Sequence, residues 1–216
     1  MILKENDIFI GDINDEFALT SKGEKIYKNA LYFDLEHYVY KQPKCIGVFG
    51  CCYYNEKDKT LKSTQYMIEN KEDAKKIIEL SKEYFCNYVG KKYIVTFSGN
   101  NDFTVINYLL KKYNYDYEIL DNFIHVDIQK EYEKANKSSI GLKNLEKEFL
   151  IDRGSELISG SNLAKTFSKI IKDEGYFERM PEEKREKILL YNQQDVVSLF
   201  HLCVNWNRFI TKSPKE

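Results

Sequence analysis

After three strands the hydrophobic periodicity of this chain changes from two to 3.6, and that change restricts its possible folds more than any other feature. Residues 30–33 are apolar without a break, as expected of a central strand buried on both faces. Residues 46–54 follow, rich in strand formers. The polar run 55–59 reads as a hairpin loop, and 64–68 return as a third strand. Then Ala74, Ile77, Ile78, Ser81, Phe85 and Tyr88 mark one face of a helix over 71–89. A fourth strand is predicted at 92–97, broken by Gly99. A second helix at 102–112 turns Val105, Ile106, Leu109 and Leu110 inward, and a fifth strand is expected at 122–127. Beyond it the pattern is helical, over 128–135, 142–149, 163–172 and 182–209. Pro181 suits a first helical position, and Glu182, Glu183 and Glu186 suit the positive end of the helix dipole.

Three meandering strands, then helix, strand, helix, strand and a helical tail, predict an α/β fold with a mixed five-stranded sheet flanked by helices. This order resembles the ribonuclease H-like arrangement, which serves several unrelated functions, so individual residues must decide among them. With 216 residues the chain suits one sizeable core. That domain is expected over 29–211, after an N-terminal extension, 1–28, which has a short strand at 7–11 and no assignable role. The segment 152–161 is the most loop-like.

Composition narrows the partners. No apolar run approaches the roughly 18 to 20 residues of a spanning helix, and the N-terminus lacks a signal-peptide pattern, so no membrane partner and a cytoplasmic location are expected. The five cysteines, Cys45, Cys51, Cys52, Cys86 and Cys203, lack zinc-chelating spacing, and most read as reduced core residues. A formal net charge of −1 exerts no global pull on nucleic acid, so any such binding must rest on a local patch.

Three sets of residues carry chemistry. Asp34 and Glu36 follow the apolar run and, two apart on a strand, share a face. They are either the polar side of that strand or a pair at the edge where α/β sheets place their sites. Asp102 begins a helix beyond the fourth strand, where it serves as an ordinary cap or as a third carboxylate. Tyr191 and Asp195 stand one turn apart on the last long helix. Clustered carboxylates repel one another unless a cation sits between them, and an oxygen-only donor set favours Mg²⁺ or Mn²⁺ over zinc.

Taken in order, these elements resemble the three motifs of the DEDD superfamily of 3′-to-5′ exonucleases. Its histidine form requires a histidine five residues before the last aspartate, where this chain has Leu190, so the pattern is similar to the tyrosine, or DEDDy, form. Residues 125–128, 141–145 and 191–199 further resemble the YprB-like ribonuclease H-like family, with a likeness running from about Ala30 to Leu202. In the second motif Ser98 and Asn101 depart from the family pattern. The resemblance implies two divalent ions, Mg²⁺ or Mn²⁺. Asp34 would bridge them, Glu36 and Asp195 would hold the one that activates water, Asp102 would act through water, and Tyr191 would orient the attacking water. Lys143, in the second of these segments, is the candidate phosphate contact, with a solvated helix-start lysine as the alternative. The implied substrate is the 3′ end of single-stranded DNA or RNA. A ribonuclease H-like endonuclease and a non-catalytic module binding nucleic acid or protein remain as alternatives.

Overall fold

In a computed structural model, residues 1–153 and 158–210 are described. Strand β1 spans Ile2–Phe9, and a two-residue hairpin pairs β2 (Thr20–Ser21) with β3 (Glu24–Lys25). The main strands are β4 (Ala30–Tyr40), β5 (Gln42–Asn55), β6 (Thr60–Met67), β7 (Tyr93–Thr96) and β8 (Ile124–Asp127). The helices are α1 (Asp73–Asn87), α2 (Asn100–Lys112), α3 (Ile128–Asn136), α4 (Leu142–Glu148), α5 (Gly160–Ile170), α6 (Tyr176–Arg179), α7 (Glu182–Val204) and α8 (Trp206–Phe209). The loop expected over 152–161 lies partly outside the described residues, and its far end already belongs to α5.

The sheet is mixed and flanked by helices, as its sequence pattern predicts, in the order β1-β6-β5-β4-β7-β8. It has six strands rather than five. The added strand is β1, which pairs antiparallel with β6 from Ile2 opposite Met67 to Phe9 opposite Thr60. Its residues alternate between partly covered and exposed, because an edge strand packs on one side only. Polar residues at Lys4, Glu5, Asn6 and Asp7 suit such an edge and obscure its period.

Strand β4 is the axis of the molecule. It runs antiparallel to β5 and parallel to β7, but the parallel pairing covers only Ala30 to Tyr32. Asp34 therefore emerges just beyond the point where its parallel neighbour leaves the sheet. Alternation along β4 then separates two cores. Phe33 meets Phe49 at 5.7 Å and Phe85 of α1 at 5.4 Å between ring centroids, while Tyr32 meets Phe200 of α7 at 5.5 Å on the other face. Asp34 and Glu36 share the face of Tyr32, so they point toward α7. Cys45, Cys51, Cys52 and Cys203 are buried free thiols, and Cys86 is exposed.

Candidate active site

Helix α7 packs across β4, β5 and β6. Its crossing brings a carboxylate oxygen of Asp195 to within 4.8 Å of oxygens from Asp34 and Glu36. These three acids and Tyr191 line a cavity of about 570 Å³, with Phe97, Lys143 and Lys147 on its other walls. Lys143 Nζ lies 5.0 Å from the centre of the Tyr191 ring. The neighbouring Leu190 is 41% exposed and turned away, so the helical phase presents the tyrosine and not residue 190 to the acids.

Asp34 is held by a row of residues without any local sequence signature. Gly50 of β5 lies opposite Asp34 on one side and Gln65 of β6 on the other. Over that row sits the fully buried side chain of Asn192. Its Nδ2 donates to Asp34 Oδ2 at 3.0 Å, and its Oδ1 accepts from Gln65 Nε2 at 2.8 Å. Gln65 Nε2 also donates to the Leu189 carbonyl at 2.8 Å, tying the row to α7. The amide fits because residue 50 has no side chain: a Cβ there would overlap Asn192 Oδ1. Gly50→Ala is expected to cost about 1–3 kcal/mol by overpacking. Urea unfolding would measure this, and a variant as stable as the parent would contradict the close approach.

Asp195 is held differently. Arg153 Nη2 donates to Asp195 Oδ1, and the same guanidinium grips Glu146 through Nε and Nη2 at 2.6 Å each. The side chains of Arg153 and Asp195 are 8% and 7% exposed, and that of Glu146 is 2% exposed. The guanidinium also lies 5.5 Å from the Tyr191 ring centre. One cation thus touches three elements of the site. The sequence offered one unused hint: the chain has four arginines against 29 lysines, and a planar fork is the group that bridges two carboxylates.

Asp102 stands apart. It is 8% exposed in the first turn of α2, where Gly99 is the capping residue, so the aspartate does not cap the helix. His37 Nε2 approaches its Oδ1 at 3.8 Å, and Asp102 lies outside the group formed by the other three acids. Asp127 instead caps α3, accepting from Gln129 N at 3.0 Å and from Ser98 N at 2.9 Å. His125 stacks on Phe103 with ring centres 4.1 Å apart.

The acids lie in an environment that resists their ionisation. Burial, then Asp195, Glu36 and Asp102, push the Asp34 carboxyl well above its usual range. Burial and Asp195 push Glu36 up to about 8, and burial with the same neighbour pushes Asp102 to about 8. Asp195 reaches only about 6, because Arg153 offsets its burial. The Tyr191 phenol is pushed up by burial and by Asp195, so it remains a hydrogen-bond donor at neutral pH. Three convergent carboxylates, with no histidine or cysteine among them, form a donor set suited to a hard divalent cation.

The RNase_H_2 family model, of the RNase H superfamily, matches residues 31–207. No curated protein and no solved structure matches the chain. The matched residues run from the core of β4, through both helical layers, to α8. The chain therefore belongs to the RNase H superfamily.

Proposed function

We propose that this protein is a metal-dependent 3′-to-5′ exonuclease of the DEDDy type, acting on single-stranded nucleic acid in the cytoplasm. The observation that carries this reading is the convergence of Asp34, Glu36 and Asp195 within 4.8 Å in a cavity that also receives Tyr191. When bound, two divalent ions of the magnesium or manganese class supply a water nucleophile near neutral pH and neutralise charge on the leaving 3′ oxygen. Asp34, Glu36 and Asp195 would hold those ions through carboxylate oxygens. Asp102, beside His37, acts through water. Asn192 keeps Asp34 aimed into the cavity, and Arg153 keeps Asp195 ionised and oriented. Tyr191 keeps its proton and orients the attacking water by donating to it, since a phenol so placed is a poor base. Lys143, which lines the same cavity beside Tyr191, contacts a phosphate of the substrate.

The test uses single-stranded DNA and RNA labelled at either end, with Mn²⁺, Mg²⁺ or EDTA, and compares the parent protein with Asp34→Ala and Asp195→Ala. Stepwise loss from the 3′ end, dependent on metal and on both aspartates, is the expected result. Internal cuts would replace the exonuclease by an endonuclease on the same acids. Binding without cleavage under every metal condition would leave only a non-catalytic module.

A further inference from the structure

A second concavity, of about 530 Å³, lies between α5, α6 and the first two turns of α7. Lys165 and Lys169 of α5 and Lys184 and Lys187 of α7 line it, with Tyr176 between them. In a chain of formal net charge −1, four ammonium groups in one groove are a marked local concentration. Among the described residues, the one acidic residue lining the groove is Glu183, and it pairs with Lys187 at 2.9 Å. Among the described residues, no carboxylate forms an ion pair with Lys165, Lys169 or Lys184. Tyr176 gathers two of them: Lys169 Nζ lies 5.4 Å and Lys184 Nζ 5.8 Å from its ring centre, and Lys184 donates to its hydroxyl at 3.2 Å. Such a groove is positive, open and partly organised by an aromatic ring, the chemistry that tracks a polyanionic backbone.

Its position on α7 links it to the acids. Lys187, Tyr191 and Asp195 recur every four residues, so they follow one face of the helix. Lys187 stands about two turns, roughly 12 Å, before Asp195. A strand whose end lies among the acids therefore reaches the lysines within a few nucleotides. We infer that the α5–α7 groove is the binding track for the phosphodiester backbone of a single-stranded nucleic acid whose terminus occupies the acidic cavity. The inference rests on the nuclease reading and adds where the substrate is gripped: several phosphates away from the cleaved bond, by charge and without base readout.

The experiment measures anisotropy of a labelled single-stranded 12-mer in EDTA, over a range of salt, for the parent and for the triple variant Lys165→Ala, Lys169→Ala, Lys184→Ala. A control variant removes Lys71, Lys75 and Lys82 instead, at and along α1. Losing three phosphate contacts should weaken binding roughly tenfold and reduce the salt-dependence slope by about 2, at about 0.7 per phosphate on a single strand. The control should bind as the parent does. In Mn²⁺ the groove variant should keep the parent kcat at saturating 12-mer and show a KM raised by a similar factor. If the parent binds and cleaves the strand while the groove variant matches it in affinity, slope and KM, the track lies elsewhere and the nuclease reading survives. If the parent neither binds nor cleaves any strand, the nuclease reading fails and takes the track with it.

Discussion

Asp34→Asn is expected to lower phosphodiester cleavage on the order of 10³-fold, about 4 kcal/mol of transition-state stabilisation, while making the metal-free protein more stable. Both effects come from the same crowding. Asp34 shares its pocket with Glu36 and Asp195, and burial together with those neighbours holds its carboxyl well above its usual range. Asparagine is neutral without having to take up a proton in that pocket, and it still offers Asn192 an acceptor oxygen. For a chain of this length the melting temperature should rise ~2–4 °C for each kcal/mol of repulsion relieved. The pH dependence of the parent follows with a definite sign. A carboxyl whose folded pKa lies above its unfolded value keeps a proton in the native state that the unfolded chain has already released. Stability of the metal-free protein must then fall as pH rises from the ordinary values of 3.8 and 4.5 toward the value of about 8 for Glu36 and Asp102. Calorimetry in EDTA between pH 5 and pH 8 measures that slope, and Mn²⁺ should raise the melting temperature more at pH 8, where fewer protons must leave. A flat profile in EDTA, with no gain from Asp34→Asn, would show that the acids do not repel one another as their geometry requires.

Arg153→Met should produce the largest loss of stability in the molecule's polar interior. The guanidinium is shared by Glu146 and Asp195, all three nearly inaccessible to solvent. Removing it leaves two buried carboxylates without their cation, at a cost of about 3–5 kcal/mol. Loss of the residue that orients Asp195 should also lower activity about 10- to 100-fold. The distinguishing measurement is a double-mutant cycle in chemical denaturant. Adding Glu146→Gln to Arg153→Met should recover part of the lost stability, because one of the stranded charges is gone. Additive losses would mean that Arg153 acts through its packing against Tyr191, 5.5 Å from the ring centre, instead of through the two acids.

Much of the fold was legible because strand and helix periods are local. The runs at 46–54 and 64–68 and the face marked by Ala74, Ile77, Ile78 and Phe85 identify β5, β6 and α1 from neighbours a few residues apart. From sequence alone β1 reads only as a short strand over 7–11, outside the sheet, because the polar residues at 4–7 weaken the alternation, and pairing with β6 sets it over Ile2–Phe9. The continuation of β4 beyond Glu36 to Tyr40 was hidden for a related reason. His37, Tyr38, Val39 and Tyr40 show no alternation of polar and apolar residues, and β5 alone supplies the partner that keeps them extended.

For the candidate site, the sequence by itself determined which chemical groups are present and which faces they share. Asp34 and Glu36 lie on one side of a strand and Tyr191 and Asp195 on one side of a helix, because side-chain direction follows from backbone period. Only the tertiary structure decided how those faces meet and what holds them. It sets Asn192 over Gly50 from 142 residues away in the chain, places Arg153 between Glu146 and Asp195, leaves Asp102 beside His37, and gathers lysines from two helices around Tyr176. These contacts join segments with no common period. They exist because burying the apolar faces of β4 and α7 against each other forces whatever polar groups lie between them to find partners in the same small space.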